Sequence, residues 1–343
     1  MGTLPDESAG QSGTFGNQLL AVNAQHFQRI PPLFLCGGEI NCVVEIANRR
    51  NLLRGNFIMG ANDYARIKRE IELKQLRTFA RIEVSEDGGP IIDLITGREP
   101  HPVGIKCCIK SGMRALQWES MRAELPMIEM CEVASPVQWM MTQPHELFMK
   151  VTGQPREWMY RPDMHLKVDA TFAKNLQDGT SFQKAVRQWT PGQGADHLVN
   201  LIVEVKHPDD PRYDDPVYER KLDLARQVYE AIGWRFSRVV HPEQVPTPTV
   251  SKSIREIMLD HDTSLSPADI DVVRRVMGPG GRASLKDLSE ALGVRHHGVA
   301  KCAALHVRRI VSIDLEQDMG PETTVRKMPD HLAIFEMEGR TPW

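Results

Sequence analysis

Acidic and basic side chains interrupt an otherwise apolar segment near the middle of the chain. The run LIVEVK has the β-favouring residues of a buried strand, yet it contains Glu204 and Lys206. Successive side chains on a strand point to opposite faces, so Glu204 and Lys206 share one face and Val203 and Val205 share the other. The segment indicates either an edge strand with a surface charge pair or one side of an active site.

A second carboxylate accompanies another strand-like run, YRPDMHLKV. Alternation places Asp163 and His165 on one of its faces. If the two strands are neighbours, Asp163, Glu204 and the main-chain carbonyl of Val205 offer oxygen ligands suited to Mg²⁺, with Mn²⁺ as a substitute. A metal ion in such a site activates water and offsets charge on the leaving oxygen of a phosphodiester. Lys206 would hold the attacking water or the phosphate.

Composition and charge narrow the class of protein. The chain has 343 residues, 41% hydrophobic and 25% charged, which indicates about two or three globular domains. A net charge of −3 gives no overall attraction to nucleic acid, so any DNA contact must come from local basic patches. No apolar run approaches the roughly 20 residues of a membrane span, and the first residues lack the pattern of a signal peptide. We therefore expect a soluble, cytoplasmic protein without a membrane partner.

The order of predicted elements indicates an α/β protein with a helical C-terminal part. Between residues 104 and 240 we expect a strand at 104–110, mostly helix over 112–132, three further strands, an amphipathic helix over 217–232 and a last strand. The polar stretch 173–197 is interpreted as an insertion. Three short helices followed by a β-segment are typical of a winged helix. The predicted division is a disordered tail (1–14), an N-terminal extension of unknown role (15–103), an α/β core (104–240), a linker (241–262), a winged helix (263–330) and a C-terminal tail (331–343).

Several of these segments resemble a known family. RPD followed by EVK resembles the signature of the PD-(D/E)xK nucleases, which have the restriction-endonuclease-like fold. The runs GMRALQWESMRAELPMIE, VQWMMTQP, REWMYRPDMHLKV, LIVEVK and KLDLARQVYEAIGWRFSRVV resemble, in this order, TnsA, the endonuclease subunit of heteromeric transposases. The resemblance covers about residues 104–240, and the C-terminal segment is similar in kind to the winged-helix domain of that family.

This resemblance implies an activity, a set of residues and partners. The chain would be a metal-dependent endonuclease that cuts double-stranded DNA at the 5′ ends of a mobile element. A DDE-type transposase subunit would cut the 3′ ends, and an ATP-dependent regulator would bind the C-terminal domain. Asp163 and Glu204 would be metal ligands and Lys206 the catalytic lysine. The acid of the first helix maps to Glu124, but Pro126 is expected to kink or restart that helix, which leaves Glu119 as the alternative.

Two other functions agree with the same residues. One is a stand-alone PD-(D/E)xK nuclease for restriction, repair or phage-related DNA processing. The other is a non-catalytic, DNA-bound assembly module. Basic residues outside the core allow two interpretations, DNA contact or a solvated helix face. They are Lys68, Arg69, Lys74 and Arg77 on a predicted N-terminal helix, and Arg295, His296, His297 and Lys301 at the start of the third C-terminal helix.

Overall fold

The fold is known from a computed structural model of the chain. It describes residues 42–46, 66–73, 78–95, 102–192, 197–210, 212, 214–240, 248–316, 318–329 and 333–334. Over these residues the protein is a mixed α/β structure with four sheets and eight helices. Among the helices in these ranges, none has the length and apolar character needed to cross a membrane.

A four-stranded sheet forms the centre of the fold. It consists of β6 (Val137–Thr142), β9 (Met164–Asp169), β10 (Leu198–Lys206) and β11 (Arg235–Val240), in the order β11-β10-β9-β6. The β10–β11 pair is parallel, and the other two pairs are antiparallel. The strands of two further sheets are β1 (Cys42–Ile46), β2 (Arg66–Leu73), β3 (Thr78–Ser85), β4 (Gly104–Cys107), β5 (Ala115–Trp118), β7 (His145–Val151) and β8 (Trp158–Tyr160). One of these sheets is antiparallel with the order β1-β2-β3-β7-β8 and is called the second sheet, and the other pairs β4 with β5.

Helices cover both faces of the central sheet. On one face, the apolar side chains of β6, β9 and β10 pack with α1 (Glu124–Val133), α2 (Ala170–Gln177) and α3 (Phe182–Gln188). On the other, Ile202 of β10 packs with α4 (Pro216–Ala231) and the inner side of the second sheet. The helices on both faces of the sheet bury apolar surface, and this burial is the main term that stabilises such a layered fold.

Local sequence explains why α4 forms where it does. Asp215 caps its first turn by accepting a hydrogen bond from the Val217 N–H, and Pro216 occupies the first helical position. The helix buries Leu222, Ala225, Val228 and Tyr229, the face that the sequence predicts. The chain then turns at Gly233, whose φ of 80° favours glycine.

Helix α1 begins at Glu124, so Pro126 lies in its first turn. The first four N–H groups of a helix have no acceptor within the helix, and a proline there therefore removes no hydrogen bond. The prediction that Pro126 kinks or interrupts the helix carrying Glu124 is wrong for this reason. The prediction of helix over most of 112–132 is also wrong, since β5 occupies Ala115–Trp118.

The run REWMYRPDMHLKV forms two strands in two different sheets. Strand β8 ends at Tyr160 and belongs to the second sheet, whereas β9 begins at Met164 in the central sheet. Pro162 lies between them and has no N–H to donate to a ladder. The chain crosses from one sheet to the other within this break, and Asp163 lies at its end.

The C-terminal part contains four helices and a three-stranded sheet. The helices are α5 (Pro248–Asp260), α6 (Pro267–Met277), α7 (Leu285–Leu292) and α8 (His296–Val307), and the strands are β12 (Arg282–Ser284), β13 (Val311–Ile313) and β14 (Thr324–Lys327) in the order β12-β14-β13. Ser284 caps α7 through the Asp287 N–H, as the sequence predicts. Helix α5 occupies much of the segment 241–262, so that segment is not an unstructured linker.

Buried hydrogen bonds join this C-terminal part to the end of α1. His306 Nε2 lies 2.7 Å from the Val133 carbonyl, Arg309 Nε donates to the Ser135 carbonyl at 2.8 Å, and Ser312 Oγ lies 2.8 Å from Ser135 Oγ. The first two of these bonds satisfy carbonyl groups at and just beyond the C-terminus of the helix. The C-terminal part therefore stabilises the position of α1, the helix that begins with Glu124.

The charged segment near residue 70 is strand, not helix. Lys68 and Arg69 lie on β2, which pairs antiparallel with β3. Ile71 and Leu73, two residues apart, are both buried, as strand periodicity requires. The spacing of Ile67 and Ile71 also fits a helix, and pairing with β3 overrides that local preference. Lys74, Arg77 and the predicted tail 1–14 lie outside the described residues, as does most of the predicted tail 331–343.

A core substitution on β9 tests this layered arrangement. Leu166 is 0% exposed within the main apolar cluster. Leu166→Ala is expected to lower the free energy of unfolding by about 2–5 kcal/mol, because it removes buried apolar area and leaves a cavity. Leu259→Ala is the matched control, since Leu259 on α5 is 79% exposed. Urea denaturation measures both, and equal losses would contradict the assigned core.

Candidate active site

Strand pairing brings Asp163 next to β10. Strands β9 and β10 are antiparallel, and Met164 pairs with Val203 at the end of their ladder. Asp163 therefore lies one position beyond this pair, beside Glu204 and Val205. The Val205 N–H donates to Asp163 Oδ2 at 2.6 Å. The two strands are neighbours, as the sequence predicts, and Asp163 lies immediately before β9 instead of on it.

Glu204 and Lys206 lie on the same face of β10. Lys206 Nζ is 2.9 Å from Glu204 Oε1, and both side chains are 2% exposed. Val203 and Val205 contribute to the apolar cluster on the other face. The predicted alternation is confirmed, and the charged face is buried instead of forming a surface charge pair at an exposed edge.

Strand geometry also orients the Val205 carbonyl. In an antiparallel ladder the N–H and C=O of one residue project to the same side of the strand. The Val205 N–H points to Asp163, so its carbonyl faces the same edge. Strand β9 begins only at Met164 and provides no ladder partner at this position. Two carboxylates and one carbonyl oxygen thus converge at the end of β9.

Glu124 is the helix acid at this site. It is 9% exposed at the first position of α1, and its Oε2 accepts a hydrogen bond from the Glu119 N–H at 2.8 Å. Glu119 lines the same cleft, but its side chain is exposed. Burial raises the pKa of Glu124 to about 7, and repulsion from Glu119 and Glu204 adds to the increase. The structure therefore favours Glu124 over Glu119.

The three carboxylates repel one another. Burial raises the pKa of Asp163 well above its usual range, and the nearby charges of Glu204 and Glu124 raise it further. Like charges that share a poorly solvated site cannot all ionise without a compensating cation. Lys206 supplies one positive charge. The remaining negative charge favours binding of a further cation.

Two tyrosines that sequence reasoning missed hold Glu204 in place. Tyr160 donates from its hydroxyl to Glu204 Oε2 at 2.7 Å, and Tyr218 donates to Oε1 at 2.5 Å. Lys206 Nζ donates to the Tyr218 hydroxyl at 3.2 Å and to Asp210 Oδ2 at 3.3 Å. Tyr160 stands just before the Arg161-Pro162-Asp163 signature, which is the one sequence signal that could have found it. Tyr218 approaches only through the packing of α4, whereas Asp210 follows Lys206 by four residues, across the turn that ends β10.

These residues line one open cleft with a volume of about 930 Å³. The acids of the cleft are Glu119, Glu124, Asp163, Glu204, Asp209 and Asp210, and the basic residues are Arg122, Arg161, Lys206, His207, Arg212 and Lys221. A cleft of this size is large enough for a polymer backbone to enter. The carboxylates and Lys206 lie together on its wall.

The donor atoms fit a hard divalent cation. Asp163 Oδ2 and Glu204 Oε1 are engaged in hydrogen bonds, so Asp163 Oδ1, the second lone pair of Glu204 Oε2 and the Val205 carbonyl are the oxygens available to a metal ion. Across the described ranges, no three or more His, Cys, Asp or Glu side chains form a ready metal-binding group. A site of two carboxylates, one carbonyl and water needs no such group, and Mg²⁺ usually keeps several waters.

No protein-family model and no curated protein matches this chain. The assignment of chemistry to the cleft therefore depends on the residues and their geometry.

His165 lies away from the cleft. It is 0% exposed, its Nε2 is 3.0 Å from Asn200 Oδ1, and its ring stacks on Trp234 with 4.8 Å between ring centroids. Burial lowers its pKa to about 3, so the ring is neutral near pH 7. These contacts indicate a hydrogen-bonding core residue.

Gln143 stabilises the backbone that precedes Asp163. Its N–H donates to the Asp163 carbonyl at 3.0 Å, and its own carbonyl accepts from the Ile91 N–H at 2.8 Å. Gln143 has a φ of 48°, a left-handed conformation that these two bonds help to hold. Gln143 therefore fixes the backbone just after the end of β6.

The basic residues of the C-terminal part divide into two groups. Arg295, His296 and His297 are exposed at the start of α8. Lys301 instead lies 2.6 Å from Asp269 Oδ1 on α6, and this ion pair is largely buried. Lys301 therefore contributes to packing between helices, and the three exposed residues are those available to a partner.

The pKa of Glu124 predicts a specific dependence of stability on pH. Its pKa rises from the ordinary 4.5 to about 7 in the folded protein, so the folded state binds the proton more tightly. This group therefore lowers the free energy of unfolding as pH rises from about 4.5 to 7. In the presence of chelator, Glu124→Gln should become more stable than the parent over this range, by about 2–4 kcal/mol above pH 7.

Chemical denaturation at several pH values measures this difference. Glu290→Gln, an exposed substitution on α7 outside the cleft, is the control and should follow the parent. A difference between Glu124→Gln and the parent that stays constant from pH 5 to pH 8 would show that Glu124 does not titrate in this way.

Proposed function

We propose that this protein is a metal-dependent DNA endonuclease of the PD-(D/E)xK type. The observation that carries the proposal is the position of Asp163 beside the Glu204-Val205-Lys206 segment on an adjacent strand, with Glu124 at the same cleft. Two acids, a main-chain carbonyl and a lysine are the groups that metal-assisted phosphodiester hydrolysis needs. Their burial argues against a purely structural role, because buried like charges destabilise a fold.

Each residue has a defined task in this reaction. Asp163, Glu204 and the Val205 carbonyl would hold Mg²⁺ or Mn²⁺, and the bound ion would supply an activated water and offset charge on the leaving oxygen. Tyr160 and Tyr218 orient the Glu204 carboxylate through their hydroxyl groups. Lys206 keeps its ammonium at the edge of the carboxylates, where it can donate to the attacking water or to the phosphate. Glu124 adds a carboxylate that can accept a proton.

The order of elements supports the proposed fold family. The mixed sheet of β6, β9, β10 and β11, with α1 on one face and α4 on the other, has the composition of a restriction-endonuclease-like core. In the C-terminal part, α6, β12, α7, α8, β13 and β14 follow the order of a winged helix with its three-stranded sheet. In that interpretation α8 is the recognition helix.

The resemblance of residues 104–240 to TnsA gives the proposal its biological setting. We place the reaction at the 5′ ends of a mobile element, with a DDE-type transposase cutting the 3′ ends and an ATP-dependent regulator binding the C-terminal part. The sequence motifs support this setting, and the bonds from His306, Arg309 and Ser312 to the end of α1 provide a physical connection. A regulator bound to the C-terminal helices would be connected through α1 to Glu124.

Cleavage of supercoiled plasmid tests the proposed activity. With Mg²⁺ or Mn²⁺ the full chain should nick the plasmid, and chelator should stop the reaction. Asp163→Ala and Lys206→Ala should each lower the rate by at least about 100-fold, because one removes a metal ligand and the other the cation at the scissile phosphate.

The controls are Asp178→Ala and Lys174→Ala, which remove an exposed surface pair outside the cleft. Both should cut like the parent. If the parent is inactive alone, the assay is repeated with element-end DNA and a DDE-type transposase. Cleavage only in that mixture would support the transposition subunit over the stand-alone nuclease, and full activity of Asp163→Ala in either assay would refute the proposed mechanism.

A further inference from the structure

Three cationic side chains lie close to one aromatic ring on a wall of the cleft. Lys206 Nζ, Lys221 Nζ and Arg212 Cζ lie 4.3, 4.6 and 5.3 Å from the centroid of the Tyr218 ring. Tyr218 and Lys221 are three residues apart on α4 and so lie on the same side of the helix. Cation–π attraction holds cations over such a ring and restricts their freedom.

Two of these cations already have acidic partners. Lys206 lies beside Glu204 and Asp210, and Arg212 is bound to Asp210 through Nε at 3.2 Å and a terminal nitrogen at 3.3 Å. Lys221 differs from them, since it forms no ion pair with any of the described residues. It lines the cleft and is half-buried.

Burial without an acidic partner leaves the Lys221 ammonium poorly compensated. Loss of water lowers its pKa from the ordinary value, although Glu204 opposes this change. A partly desolvated ammonium is stabilised by a bound anion, and phosphate oxygens are strong acceptors for it.

The position of Lys221 relative to Lys206 indicates which anion would bind at Lys221. Under the proposed function, on which this inference rests, Lys206 lies at the scissile phosphate. Lys221 and Lys206 approach the same ring, so an anion at Lys221 lies next to that phosphate. Along one DNA strand the adjacent charge is the phosphate of the neighbouring nucleotide.

We propose that Lys221, supported by Arg212 and Tyr218, forms a second phosphate-binding subsite that holds the nucleotide next to the cut. The subsite positions the strand and is separate from the metal-binding oxygens of Asp163 and Glu204. Its ligand is a phosphodiester of the nucleic-acid backbone.

Equilibrium binding of a labelled DNA duplex tests this subsite. The parent, Lys221→Gln, Lys221→Arg and the surface control Lys174→Gln are compared by fluorescence anisotropy with Ca²⁺, over about 50–200 mM salt. Lys221→Gln should bind about threefold to tenfold more weakly, and the slope of log affinity against log salt should decrease in magnitude by about 1. Lys221→Arg and Lys174→Gln should keep the slope of the parent.

Mn²⁺ binding by the same variants separates the subsite from the metal site. Lys221→Gln should bind Mn²⁺ like the parent. If the parent binds the duplex and Lys221→Gln has the same affinity and salt slope, the subsite is refuted while the proposed function stands. Loss of Mn²⁺ affinity in Lys221→Gln would also refute a separate subsite. A parent that binds neither duplex nor Mn²⁺ would refute the proposed function together with the subsite.

Discussion

The antiparallel register of β9 and β10 is the constraint on which the site depends. Pairing of Met164 with Val203 places Asp163 against the Val205 N–H and beside Glu204. A shift of one residue would turn every side chain of β9 to the opposite face, because strand side chains alternate. The register is fixed by packing. Met164, Leu166 and Val168 lie in the main apolar cluster, and a shift would replace them there with the polar side chains of His165, Lys167 and Asp169.

The same register creates an electrostatic cost that the surrounding residues offset in part. Glu124, Asp163 and Glu204 lie in a cleft where burial raises the pKa of Glu124 and Asp163. Lys206, Tyr160 and Tyr218 contribute one positive charge and two hydroxyl donors to Glu204. These contacts orient Glu204 but leave Asp163 Oδ1 and the Val205 carbonyl for another partner. A divalent cation would supply positive charge and bind these two oxygens, which supports the proposed metal-dependent chemistry.

Sequence reasoning succeeded where a short pattern determines the outcome. Alternation alone assigned Glu204 and Lys206 to one face of β10, and the apolar spacing of Leu222, Ala225, Val228 and Tyr229 identified α4. Sequence patterns predict less well where pairing between distant segments determines the secondary structure. The charged helix that the sequence predicts around Lys68 and Arg69 is strand β2, because its local composition favours helix until a partner strand is present.

The composition of the cleft was predictable only in part for the same reason. Asp163 and Lys206 belong to a readable signature, and the resemblance to TnsA predicts Glu124, with Glu119 as the alternative. Tyr218 is separated from Asp163 by tens of residues and meets Lys206 only after α4 packs over the second sheet. Asp210 reaches Lys206 through the turn that follows β10. In the sequence, Pro126 leaves both Glu124 and Glu119 as candidates for the helix acid. The structure favours Glu124, because Pro126 lies in the first turn of α1 and does not interrupt the helix.

The position of a bound metal ion tests the central claim most directly. Crystals of the full chain soaked in Mn²⁺ would be examined by anomalous diffraction, which locates the ion without reference to activity. We predict an anomalous peak within coordination distance, about 2.0–2.3 Å, of a carboxylate oxygen of Asp163 and one of Glu204, and near the Val205 carbonyl. A peak elsewhere in the protein, or none in the cleft at saturating Mn²⁺, would contradict this account of the site.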